Sequence, residues 1–207
     1  EDTTPYFDAI RDFGNNGTDD LLFHLPSQGN FFRLDDPADG GSASNEGRPG
    51  STSLGLTDLD GDGTLDHILK AASGAHVVQY GAENSTSSNI GRGNSVISGF
   101  ADIDGDGALE IIVGGYSSPG KIFAVNPDGT DVSGFPLDLG EKVQRGVALA
   151  DFNGNGKDDI VVGTDSDYIH LFYDDGSEAP GFPYQTGDKV QSAPSILDVG
   201  GQKVIFV

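Results

Sequence analysis

A nine-residue acidic pattern recurs along this chain, and no other feature restricts its fold so tightly. "DLDGDGTLDHILK" begins at Asp58, "DIDGDGALEIIVGG" at Asp102 and "DFNGNGKDDIVVGT" at Asp151. A looser copy, "DFGNNGTDDLLFHL", begins at Asp12, and a shortened one, "DVGGQKVIFV", at Asp198. The start points are 46, 44, 49 and 47 residues apart. The likeness extends past the loops, since "SGFPLDLGEKVQRGVALADF" (133–152) parallels "PGFPYQTGDKVQSAPSILDV" (180–199). A chain repeating at this period builds one supersecondary unit several times and stacks the copies.

Each copy reads as short strands. In the third, Val96–Ile103 is an apolar strand entering the acidic loop, Glu110–Val113 is a β-branched run and Lys121–Val125 alternates. "NPDGT" (126–130) is a turn, and "GFPLDL" is a fourth strand whose Pro136 suits an edge. Four strands in roughly 46 residues match one blade of a β-propeller. "EIIVGG" and "DIVVGT" are continuous apolar runs, as expected of inner strands covered on both faces. No window carries a helical period. The expected fold is all-β, with blades of four antiparallel strands. The expected units are about 5–50, 51–95, 96–142, 143–189 and a partial fifth at 190–207, all in one propeller domain spanning 1–207. The Gly-, Ser- and Asn-rich stretches 35–50 and 81–95 read as long surface loops or insertions, where sequence-specific function can reside.

In the acidic loops, Asp at positions 1, 3 and 5 with Gly at 6 is how a short segment wraps oxygen ligands around Ca²⁺. Alternate side chains point inward, Gly allows the sharp turn, position 7 offers its carbonyl and a later carboxylate closes the shell. An all-oxygen set without His or Cys favours Ca²⁺ over zinc or copper. The loops are not EF-hands, because position 12 is Leu69, Val113 or Val162 rather than Glu. Closure falls to position 9, and a strand follows. The ligand sets are then Asp58, Asp60, Asp62, Thr64 and Asp66 in one loop, and Asp102, Asp104, Asp106, Ala108 and Glu110 in the next. The third set, Asp151, Asn153, Asn155, Lys157 and Asp159, has Asp151 and Asp159 as its only charged ligands and is expected to bind more weakly. The first copy offers Asp12, Asn16, Thr18 and Asp20, with Gly14 where a ligand belongs, and is weaker again. The shortened loop at 198 is expected to be empty.

The loops, the "VQSAP" and "ISGFADIDGDG" segments and the "GFP" strands resemble FG-GAP/VCBS repeats, the family of the integrin α-chain propeller and of many secreted microbial proteins. The resemblance covers nearly the whole chain. It implies calcium held in the first hairpin of a blade by positions 1, 3, 5, 7 and 9. This carries over fully to the second and third copies, with Asn substitutions to the fourth and in part to the first. Propellers of this family usually have more blades than the four and a half read here. Three readings stay open: a compact ring of few blades, a piece of a longer chain, or an open end that pairs with another molecule.

Composition narrows the functional classes. The net charge of −22 with 11 scattered basic residues argues against nucleic acid and against anionic lipid. The chain has no Cys, Met or Trp, which excludes disulfides and thiolate metal sites. It opens at Glu1, as expected of a processed or excised piece, and no apolar run approaches the roughly 18 residues of a membrane span. His24, His67, His76 and His170 share no metal or triad spacing, and no nucleophile elbow, zinc motif or phosphate loop appears. No enzymatic activity is expected. Of the Asn-x-Thr sequons at Asn16 and Asn84, the second lies in a polar loop and is the better glycosylation acceptor. The expected protein is an extracellular, calcium-binding module for adhesion or self-assembly, including filament formation. Its expected partners are other protein chains, itself included by strand pairing at an open blade edge. The alternatives are a carbohydrate-binding propeller, with Tyr80, Tyr116, Tyr168, Tyr173 and Tyr184 as possible platforms, and an accessory domain of a secreted polysaccharide-degrading enzyme.

Overall fold

The computed structural model describes residues 6–12, 17–25, 30–41, 43–49, 52–63, 65–70, 76–79, 87–91, 95–115, 120–143 and 145–207. They are arranged in two compact units, Glu1–Gly93 and Asn94–Val207. Thr64, Asn16, Asn84, Tyr80 and Tyr116 lie outside the described residues.

The first unit holds two antiparallel sheets. One contains β1 (Tyr6–Arg11), β2 (Asp20–Leu25), β3 (Asn30–Leu34) and β4 (Ala43–Pro49), in that order. The other contains β5 (Thr52–Thr57), β6 (Asp66–Lys70), β7 (His76–Gln79) and β8 (Ser87–Gly91), again in sequence order. Leu22, Leu69, Leu56 and Leu65 pack together in this unit. A single 3-10 turn, Pro37–Asp39, is the one helical element among the described residues. No described helix is long and apolar enough to cross a membrane.

The second unit repeats the arrangement. β9 (Ser95–Ala101), β10 (Glu110–Gly115), β11 (Lys121–Val125) and β12 (Leu137–Asp138) form one meander. β13 (Val147–Ala150), β14 (Asp159–Gly163), β15 (Tyr168–Phe172) and β16 (Tyr184–Gln185) form the next. β17 (Ser195–Val199) and β18 (Gln202–Phe206) make a two-stranded sheet. The apolar runs of β10 and β14 are buried along their whole length, as continuous hydrophobicity predicts. Successive residues serve opposite faces. Ile160 and Val162 join Ile112, Ile122 and Ala124 in one cluster. Val161 joins Leu171, Ile196 and Ile205 in another. Each fully buried Ile or Val contributes roughly 1.5–3 kcal/mol of hydrophobic stabilisation.

The repeat shows in the ladder as well as in the sequence. β1, β5 and β9 each carry one extra residue, at Asp8, Leu54 and Ser98, where pairing with the following strand slips. Each bulge lies four residues before the first Asp of its loop, at Asp12, Asp58 and Asp102. A bulge bends its strand and raises the local twist, so it re-aims the chain just before the acidic turn.

The Gly- and Ser-rich stretches differ from expectation. Rather than long loops, 35–50 and 81–95 contain the outer strands β4 and β8. An edge strand is recruited by its ladder partner as much as by its own propensity, and composition alone misses it. The fourth strand of the third copy is correspondingly short, two residues after Pro136.

Candidate metal centre

Each acidic loop spans the turn between the first and second strands of a sheet. In the loop of 102–110, Asp102 acts as its hub. Its Oδ1 accepts the Gly105 N–H at 2.6 Å and its Oδ2 the Gly107 N–H at 3.1 Å. Asp104 Oδ1 accepts from Asp106 N–H at 3.2 Å, and Asp106 Oδ1 from Ala108 N–H at 2.8 Å. These local bonds are the Asx turns that Asp favours. Gly105 and Gly107 adopt φ of 79° and 94°, which side-chain-bearing residues rarely reach, so both glycines are required by the turn.

The loops 58–66 and 151–159 reproduce this pattern. Asp58 accepts the Gly61 and Gly63 N–H groups at 2.8 and 3.0 Å. Asp151 accepts those of Gly154 and Gly156 at 2.6 and 2.9 Å. In the first copy the Gly17 N–H donates to Asp12 Oδ2 at 2.7 Å.

The carboxylate at position 9 lies beneath the loop. Asp66, Glu110 and Asp159 are all buried, and each accepts the N–H of position 2 at 2.7 Å, from Leu59, Ile103 and Phe152 respectively. Asp20, at the same place in the first copy, is buried too. A short loop thereby hangs from the first residue of the second strand, and the sheet core fixes that strand.

Two of the loops gather three carboxylates. Asp58, Asp60 and Asp62 bring oxygens within 4.8 Å of one another, as do Asp102, Asp104 and Glu110. Asp66 stands outside the first trio and Asp106 outside the second. Unit charges about 4 Å apart repel by roughly 1–4 kcal/mol per pair, depending on the effective dielectric, so such trios favour a cation between them. In the loop of 151–159 the places of Asp104 and Asp106 are taken by the neutral Asn153 and Asn155.

The sharpest difference among the loops is at Glu110. The residue is fully buried, and its Oε1 has no hydrogen-bond partner. An orphaned buried carboxylate oxygen is costly, about 1–3 kcal/mol or more for a charged group. Burial pushes the Glu110 carboxyl up to about 7, with the Ile103 N–H opposing and the Asp104 charge adding to the rise. Burial raises Asp159 also, against the opposing Phe152, Asp174 and Asn153 N–H groups. Hard oxygen donors, a buried oxygen without a partner and converging negative charge fit a divalent cation of the calcium type at 102–110. Asp102, Asp104 and Glu110 would hold it.

His170 forms a second polar cluster that spacing did not reveal. Its Nδ1 lies 2.7 Å from Glu178 Oε1 and its Nε2 3.6 Å from Glu141 Oε2, while the Thr164 hydroxyl donates to Glu141. The ring stacks on Phe172 with centroids 5.6 Å apart. Glu141 and Glu178 come from turns distant in sequence, and no local motif brings them to mind. The cluster ties a loop to a strand and has no trio of metal-ligand atoms. His67 is buried in β6, and the side chains of His24 and His76 lie outside the described residues.

Antiparallel meanders, each opening on an acidic turn, define a β-propeller repeat module. Residues 102–162 match the family model of the FG-GAP-like repeat. Among solved structures, the chain is similar to one described as BBS1N in complex with ARL6DN, soaked with lead. The TM-score is 0.55 at 14% identity, over 91% of this chain and 58% of that one. At that identity the likeness shows the fold, a β-propeller type. The chain therefore spans less than two thirds of that neighbour. A search of curated proteins returns no significant match.

Proposed function

We propose that this chain is a non-enzymatic, extracellular β-propeller module whose blades are stiffened by calcium and which serves as a scaffold for adhesion or self-assembly. The single observation that carries the calcium reading is the buried Glu110 oxygen without a partner beside Asp102 and Asp104. Asp58, Asp60 and Asp62 supply the second site. A cation there turns mutual repulsion into attraction and holds the turn onto the core.

The scaffold reading is supported by the β17–β18 sheet. Its inner face, Ile196 and Ile205, is packed against the preceding sheet. On the other face Leu197, Val199 and Phe206 are 55%, 54% and 52% exposed, with Val204 beside them. Among the described residues β18 pairs with β17, and strand addition beside it is the form of self-assembly this reading expects. The carbohydrate reading has one supporting feature, the exposed Tyr184 on the edge strand β16. A glycan array on which the chain binds nothing removes it.

The test of the calcium reading is thermal. Calcium at a hundred times its dissociation constant stabilises the folded state by about 2.7 kcal/mol. For a chain of this size that is a rise of roughly 5–10 °C. Asp104→Ala and Asp60→Ala are each expected to lose part of this rise. Variants that melt like the parent in millimolar calcium refute the assignment.

A further inference from the structure

The four complete repeats end their third strand in the same place, and the turn that follows differs among the first, third and fourth. Val125 pairs with Ile111 and Phe172 with Ile160, so Asn126 and Tyr173 occupy equivalent positions, as do Pro127 and Asp174. The turns are superposable in their bonding. Gly129 N–H donates to Asn126 O and Gly176 N–H to Tyr173 O, both at 2.8 Å. In the fourth repeat the Asp174 N–H donates to Asp159 Oδ1 at 3.1 Å. In the first, Leu34 pairs with Leu21, which places Asp36 at the same position, and its N–H donates to Asp20 Oδ1 at 3.2 Å. Proline has no N–H. With Pro127 at that position, Glu110 Oε1 is left without a hydrogen bond while fully buried.

The fourth loop is closed further by its own side chains. Asn153 Nδ2 approaches Asp159 Oδ1 at 3.4 Å. Asn155 Nδ2 donates to Asp174 Oδ1 at 2.8 Å, and Lys157 Nζ lies 3.5 Å from Asp174 Oδ2. The Lys157 stem passes over Gly105, where a Cβ would stand 2.9 Å from Lys157 Cε. Both oxygens of Asp159 are therefore supplied with donors, and a protein ammonium sits beside the loop.

We propose that the residue at this turn position decides which repeats take a cation. Pro127 keeps the Glu110 oxygen open in the loop 102–110, whereas the Asp174 N–H and the Asn153 amide seal Asp159 in the loop 151–159, which folds without metal. Asp36 seals the loop 12–20 by the same bond. The corresponding turn of the second repeat lies outside the described residues. This selectivity rests on the calcium reading and adds to it a rule for telling filled repeats from empty ones. Sealing a position-9 oxygen with an N–H exchanges a cation for a hydrogen bond to a charged acceptor, so opening or closing it shifts affinity by about tenfold.

Equilibrium dialysis of the 207-residue chain against calcium counts the ions bound. Asp102→Asn is expected to remove one ion and Asp151→Asn none. Pro127→Ala restores the N–H and is expected to weaken the ion at 102–110 about tenfold. Asp174→Pro suits the second position of such a turn and is expected to add one ion, while Asp174→Ala, which keeps its N–H, adds none. A parent that binds no calcium removes the calcium reading and this rule with it. A parent that binds calcium and loses an ion on Asp151→Asn overturns the rule and leaves the calcium reading standing. If Asp174→Pro fails to fold, Pro127→Ala and Asp151→Asn decide; unchanged affinity in Pro127→Ala counts against the rule.

Discussion

Glu110 carries a cost that a bound cation would relieve. Its carboxyl is raised from the ordinary 4.5 to about 7 by burial. In the cation-free protein the folded chain holds a proton between those two values that the unfolded chain has lost. Stability is thus fully present below about pH 4.5 and is lost as pH rises through about 7. Urea unfolding in chelator, at about pH 5 and about pH 8, is expected to show the parent weaker at the higher pH. Glu110→Gln cannot lose a proton and is expected to remove that contribution. The same slope in both proteins would show that Glu110 does not titrate this way. The ligand spacing was legible in the sequence, because Asp and Gly have strong turn preferences that act locally. The state of each position-9 oxygen was not, since it depends on a turn fifteen or so residues further on (Asp174 for Asp159, Pro127 for Glu110), reached only through strand pairing.

At the scale of the element, the inner strands were the most legible. After their first residues, Glu110 and Asp159, β10 and β14 are continuous apolar runs because both faces are covered, and this gives a signal independent of tertiary detail. The outer strands were the least. β4, β8, β12 and β16 have few apolar residues, and pairing with the third strand of the sheet decides them. Close approach between elements is also invisible to pattern reading. At the end of β14, a Cβ on Gly163 would stand 2.2 Å from Val190 Cγ1 and 2.6 Å from its Cβ. Gly163→Ala is therefore expected to force a backbone shift costing about 1–3 kcal/mol, read as a lower urea midpoint at unchanged slope. An unchanged midpoint would mean that the 187–191 segment yields freely. Ile112→Ala, in a fully buried cluster, is expected to cost about 2–5 kcal/mol by the same measurement.

For the whole molecule, the repeat fixed the class of fold and the likeness to a solved propeller-type chain agrees with it. What a module of this kind docks against was not written in any motif. The exposed Leu197, Val199, Val204 and Phe206 face is defined by the pleat of β17 and β18 and appears only once their register is known. Light scattering in millimolar calcium is expected to give species larger than the 21.5 kDa chain, falling towards that mass after chelation. Phe206→Asp is expected to lower the mass in calcium as well. A chain that stays at its own mass in both conditions contradicts self-assembly while leaving the calcium sites untouched.

The measurement that reaches the metal assignment most directly is a calcium titration of the ¹⁵N-labelled chain followed by NMR. Amide signals of 58–66 and 102–110 are expected to move with added calcium, with midpoints of roughly 10⁻⁴–10⁻³ M, the range of calcium-binding extracellular modules, while those of 151–159 stay in place. Stationary signals across 102–110 at saturating calcium would contradict it.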